Sequence, residues 1–144
     1  KKSGLPTKSL LLCSYNQFFK IDQRVLKVWA AIMKAVPSSK LVLVKFLFHE
    51  QAHSRLRLQL EKEGVDPLRL VLVDKVQGAQ HLERSILMDL HLDTRLQSGH
   101  TTTVDALWSG LPVVVWPARS MVSRAASGIA SAAGLHWAIA RTGS

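Results

Sequence analysis

Short apolar runs alternate along this chain with longer stretches in which apolar residues recur at helical spacing. Residues 9–14 (SLLLCS), 41–46 and 69–73 read as strands, because near-continuous runs of Leu and Val suit a strand covered on both faces. Residues 89–92 and 113–116 give two shorter strands, the last ended by Pro117. Between them lie the helical patterns. Asp22 caps a helix that carries Val25, Leu26, Trp29, Ile32, Met33 and Val36, stopped by Pro37. Residues 49–64, with Leu56 and Leu60, end at Gly64. Residues 79–88 form a short helix, residues 102–108 one closed by Gly110, and residues 120–133 one rich in small residues and closed by Gly134. Residues 137–140 begin a further element, as expected of a lobe cut from a longer chain.

Strand and helix alternate five times. That order predicts an α/β fold: a Rossmann-like parallel sheet with helices on both faces. Ligands of such sheets sit beyond the C-terminal strand ends, so chemistry is expected in loops 15–21, 47–49, 74–78, 93–101 and 117–121.

The chain has 144 residues, 47% of them hydrophobic, which suits one compact domain over residues 1–144. No apolar run reaches the ~18–20 residues that span a membrane, so no membrane partner is expected. Cys13 is the only cysteine and lies in an apolar run, which excludes an internal disulfide and reads as a buried strand residue. A soluble protein of the cytoplasm or nucleus is expected. The net charge of +9 attracts phosphates of any kind. The basic residues are dispersed and no nucleic-acid motif accompanies them, so nucleic acid is not expected as a partner. The four tryptophans, Trp29, Trp108, Trp116 and Trp137, fall on apolar faces and read as core. His49 and His53 stand four apart without the Glu of a zinc-binding helix, so no metal site is expected. Neither a nucleophile-elbow nor a P-loop pattern occurs.

Three segments carry candidate chemistry. In the first, Leu92-Asp93-Thr94 leads through a polar loop to Gly99-His100-Thr101-Thr102, with Asp105 one turn further on. A helix start offers unpaired N–H groups and a partial positive charge to a phosphate. Gly99 allows close backbone approach, Thr101 and Thr102 add hydroxyl donors, and Asp105 can accept from ribose hydroxyls. The same residues also fit a threonine N-cap completed by Asp105, with no ligand at all. In the second, Gln17 and Lys20 follow the first strand, where a mobile ammonium can meet a diphosphate. In the third, His81 and Arg84 share one helical face after the third strand, so His81 can lie against a base and Arg84 can bond its carbonyl edge.

Taken together, the stretch from Asn16 to Asp22 (NQFFKID), Val28-Trp29-Ala30, Val36-Pro37-Ser38-Ser39, His81 with Arg84, and the block from Leu92 through Gly99-His100-Thr101-Thr102 and Asp105-Ala106-Leu107-Trp108 to Gly110-Leu111-Pro112 resemble the C-terminal catalytic lobe of the protein O-GlcNAc transferase family, which includes SPINDLY-like relatives. The likeness runs from about Gly4 to about Gly134. It implies the C-terminal lobe of a GT-B glycosyltransferase that transfers N-acetylglucosamine from UDP-GlcNAc, with inversion, to Ser or Thr of proteins, without a metal or other cofactor. It also implies a second, N-terminal lobe that holds the general base, and a tetratricopeptide array, neither of which this sequence contains. Residue by residue, the resemblance places Lys20 on the diphosphate as the catalytic contact, joined by Gln17 and by His100, Thr101 and Thr102 at the helix start. His81, Arg84 and the backbone at Val76 would meet the uracil, and Asp105 the ribose. Gly78 stands where the family usually has a lysine, and Val76-Gln77 replaces its Ala-Pro step. Gln17 and His100 favour the GlcNAc branch over a GDP-fucose-dependent, SPINDLY-like lobe. The other alternative is a degenerate module that binds UDP or a protein without turnover.

Overall fold

The computed structural model describes residues 9–45 and 50–141. Among these, five parallel strands form one sheet in the order β3-β2-β1-β4-β5. β1 is Leu11–Ser14, β2 Lys40–Val44, β3 Leu70–Val73, β4 Leu90–Leu92 and β5 Val113–Val114. The chain runs outward from β1 to β3, then returns to lay β4 against the free side of β1. Cys13 pairs with Val42 on one side and with His91 on the other.

The helices α1 (Gln23–Ala35), α2 (Glu50–Lys62), α3 (Ala79–Ser85), α4 (Thr101–Trp108) and α5 (Met121–Ala132) fall between and after the strands. The Asp22 side chain accepts the Val25 N–H at 2.9 Å, which starts α1 as the sequence implied. At the other end, Arg69 donates to the carbonyls of Met33, Val36 and Ser39 and to the Ser39 hydroxyl, tying off α1. α4 ends in a left-handed Gly110 at φ 78°, and the Leu111 N–H then returns to the Ala106 carbonyl at 2.9 Å. Gly64 and Gly134 close α2 and α5 in the same way.

Two apolar clusters lie on opposite faces of the sheet. Leu12, Leu41, Leu43, Leu70 and Leu92 meet Val25, Trp29 and Met33 of α1 and Leu56 and Leu60 of α2. Leu11, Cys13, Val42 and Val113 meet Ala106 of α4 and Ala126 and Ala130 of α5. On the first face the helices contribute large side chains, while on the second α4 and α5 contribute alanines and α4 packs against β5.

Several expectations need correction. The third helix stops at Ser85, where the N–H groups of Leu87 and Met88 turn to the carbonyls of Arg84 and Ser85 in a tight last turn. β5 ends at Val114, and Val115 makes a parallel bridge to Ile139, so the element expected at residues 137–140 is a 3-10 turn (His136–Ala138) leading into a short sheet extension. Trp29 alone of the tryptophans is buried core. Trp108 and Trp137 are 80% and 69% exposed, and Trp116 lies beneath the Arg95 guanidinium at 4.9 Å. Phe46 and His49 lie outside the described residues. Among the described residues, no three metal-binding side chains come together and no helix is long and apolar enough to cross a membrane.

Candidate functional site

The sheet order reverses between β1 and β4, and a crevice opens beyond the C-terminal ends of those two strands. The cleft there has a volume of about 660 Å³. All nine residues expected to bind the donor line it: Gln17, Lys20, Val76, His81, Arg84, His100, Thr101, Thr102 and Asp105. Three cationic side chains, Lys20, Lys75 and Arg84, face the cleft against one carboxylate, Asp105. The cleft is therefore built for an anion.

Its floor is the start of α4. His100 occupies the N-cap position without a side-chain capping bond, unlike Asp22 on α1 and Ser120 on α5. The threonine cap that the sequence left open does not form. The N–H groups of Thr103 and Val104 go to the His100 carbonyl, but those of Thr101 and Thr102 have no helical carbonyl behind them. Lys20, brought in by the 3-10 turn Phe18–Lys20, reaches the Ser98 carbonyl at 3.4 Å, a long bond that an anion can easily replace.

One wall is aromatic. Tyr15 is buried at the end of β1, the His81 ring stands edge-on to it, and the Arg84 guanidinium lies 5.8 Å from its centroid. Arg84 also donates to the Asp74 carbonyl at 2.6 Å, while its Nε is buried without a partner. Burial lowers the His81 pKa, the Arg84 charge lowers it further, and Asp105, 3.9 Å from Nε2, opposes both. The balance favours the neutral imidazole, a form that can rest against a planar ring without repelling Arg84.

The sequence reading assigned no role to four lining or supporting residues. Tyr15 is that aromatic wall. Lys75 lines the cleft beside Gly78, so a cation is present although Gly78 itself brings none. Asn16 and Asp93 lie beneath the floor. Asp93 Oδ1 accepts from the Gly99 N–H at 2.7 Å and from Asn16 Nδ2 at 2.9 Å, and its Oδ2 is buried without a partner. Burial raises its pKa to about 6 against the pull of the Gly99 and Thr94 N–H groups, Asn16 and Lys20. Thr102 differs from expectation. Its hydroxyl is not free for a ligand, because it donates to Asn16 Oδ1 at 2.8 Å.

Residues 1–144 match the sequence signature of Glycosyl transferase family 41. The chain belongs to that family. It is 36% identical over 132 residues to the probable UDP-N-acetylglucosamine–peptide N-acetylglucosaminyltransferase SEC of Arabidopsis thaliana, covering 92% of this chain and 13% of the relative. It is 37% identical over 138 residues to the UDP-N-acetylglucosamine–peptide N-acetylglucosaminyltransferase of Caenorhabditis elegans, covering 96% of this chain and 12% of the relative. Among solved structures, a mutant of the Thermobaculum terrenum O-GlcNAc transferase superposes with a TM-score of 0.88 at 33% identity, covering 97% of this chain and 27% of that one. The fold is thus that of the Rossmann-like lobe of a GT-B glycosyltransferase. This family 41 chain spans about an eighth of the length of those curated relatives.

Proposed function

We propose that this chain is the UDP-GlcNAc-binding lobe of an inverting glycosyltransferase acting on Ser and Thr hydroxyls of proteins. The observation that carries the reading is the convergence of Lys20 and the uncapped start of α4 on one cationic cleft at the switch point of the sheet. As the bond between sugar and diphosphate breaks, negative charge grows on the departing UDP. Lys20 and the N–H groups of Thr101 and Thr102 are set to receive that charge without reorganising. Tyr15, His81, Arg84 and Val76 offer a flat, partly apolar wall with a guanidinium for a pyrimidine, and Asp105 accepts from the ribose. In this reading the acceptor hydroxyl attacks the anomeric carbon from the side opposite the diphosphate, and its proton leaves to a base on a second lobe. That lobe also excludes water and holds the hydroxyl in line.

Calorimetric titration of this chain with UDP and with GDP, followed by a labelled-sugar transfer assay, tests the reading. Binding of UDP in preference to GDP, without transfer, is expected. No response to millimolar UDP would overturn the donor assignment, and preference for GDP would favour the fucose branch. Peptide glycosylation by this chain alone would overturn the need for a second lobe.

A further inference from the structure

We infer that Asn16 is a positioning residue that decides how α4 addresses the diphosphate: it takes the hydroxyl proton of Thr102, so Thr102 meets the anion through its backbone N–H and not through its side chain. This rests on the donor-binding reading above.

Asn16 is buried at the end of β1, 2% exposed. Its Nδ2 has two hydrogens, and two acceptors take them: Asp93 Oδ1 at 2.9 Å and Thr94 Oγ1 at 2.8 Å. Thr94 Oγ1 is itself committed as a donor to the Gln97 carbonyl at 2.7 Å, so toward Asn16 it can only accept. Turning the amide over would set Oδ1 against the Asp93 oxygen and the Thr94 lone pairs with no proton between them. The amide orientation is therefore fixed from below. Its oxygen faces Thr102 Oγ1 at 2.8 Å, and since that oxygen is an acceptor only, Thr102 must donate. A hydroxyl has one proton. With it spent on Asn16, the oxygen shows only lone pairs to the cleft, which repel a phosphate. Room for any other arrangement is absent on the Gly99 side, where a Cβ would lie 2.4 Å from Thr102 Oγ1, 2.7 Å from Thr103 Oγ1 and 3.1 Å from Asn16 Oδ1.

The consequence is mechanical. Asn16 joins the ends of β1 and β4 to the first turn of α4, and so sets the direction in which the N–H groups of Thr101 and Thr102 point. Its effect should be felt by the phosphates of a ligand and not by the base, which rests on the Tyr15 wall.

The test is a double-mutant cycle at pH 8, where Asp93 is ionised. UDP and uridine affinities are measured by NMR titration for the chain, Asn16→Ala, Thr102→Val and the double variant, with each fold checked by circular dichroism. Each single change is expected to weaken UDP about ten-fold, in line with loss of one charge-linked hydrogen bond. Uridine should move less than two-fold, and the double variant should bind UDP no more weakly than the weaker single one. Thr102→Ser should restore binding. A double variant whose loss is the product of the two single losses would overturn the inference, since Thr102 would then contact phosphate independently of Asn16. Equal losses for uridine and UDP would also overturn it, as plain structural damage. If Asn16→Ala does not fold, Asn16→Ser carries the same comparison. A parent chain that binds neither ligand overturns the donor reading itself. A parent that binds UDP while Asn16→Ala is unchanged overturns only the role of Asn16.

Discussion

The ring of His81 stands edge-on to that of Tyr15, with centroids 4.7 Å apart and planes at 69°. One residue after the first strand thus supports one wall of a cleft whose floor, the start of α4, comes from much later in the chain. The Tyr15 hydroxyl lies toward Ser85 and Cys13 but makes no hydrogen bond of ordinary geometry, and its pKa is pushed above the usual phenol value, chiefly by burial. Tyr15→Phe should therefore change stability by less than about 1 kcal/mol and leave uridine affinity unaltered. Tyr15→Ala removes the support under His81 and Arg84 and should cost about 3 kcal/mol together with uridine binding. Thermal melts and uridine titration of the two variants check this, and a large loss in Tyr15→Phe would show that the hydroxyl is engaged.

Lys20 should matter more to turnover than to affinity. Within a two-lobe enzyme of the kind proposed, Lys20→Ala is expected to lower kcat by about 30- to 100-fold, with KM for the sugar donor moving by far less. Steady-state kinetics decide it. An unchanged kcat with a raised KM would mean that Lys20 only holds the ground state.

Gly99→Ala should fail for steric reasons alone. The added Cβ meets two threonine hydroxyl oxygens at distances side chains do not tolerate, and lies tight against the Asn16 oxygen. The expected cost is about 1–3 kcal/mol, accompanied by loss of UDP binding. A melt and a UDP titration test it, and normal values for both would show that the loop has slack.

Acid stability offers a fourth check. Burial lowers the His91 pKa to about 4, helped by His81, while burial raises that of Asp93 to about 6. Between pH 6.5 and 4 the unfolded chain binds a proton that folded His91 refuses, so this contribution is lost as pH falls. Over nearly the same range folded Asp93 holds a proton that the unfolded chain releases, so its contribution grows as pH falls. Each effect is about 3 kcal/mol, and the two largely cancel. Asp93→Asn should uncover the His91 effect. Denaturant melts across this range should show the variant losing about 3 kcal/mol more than the parent on acidification, and parallel curves would refute the assignment.

Much of this was legible in the sequence because it is local. The Asp22 cap, the Pro37 stop and the glycine ends of α2, α4 and α5 each act within a few residues. Eight of the nine expected cleft residues lie in segments at three strand ends that could be read directly, and Val76 came only with the family resemblance. Trp108 was not. The buried positions of α4 are Thr103 and Ala106, three apart, because that helix approaches the sheet closely, and Trp108 falls off their stripe. On this face hydrophobicity misleads, since small residues do the packing. The duty of Thr102 was hidden for a different reason. Its hydroxyl partner lies at the end of β1, and only the strand order brings Asn16 within reach.

The bonds beneath and beside the cleft also say when it can exist. Asn16 to Asp93 closes a separation of 77 residues, Asn16 to Thr94 and Lys20 to Ser98 each 78, and Thr102 to Asn16 86. β1 to β3, with α1 and α2, can assemble early from neighbouring segments. The cleft must wait until the chain has looped back to set β4 against β1, a closure that carries its entropy cost before any ligand contact repays it. Under the proposed function, nucleotide binding would therefore signal that folding has finished, because a half-folded chain holds Lys20 and Arg84 without the α4 floor that completes the cleft.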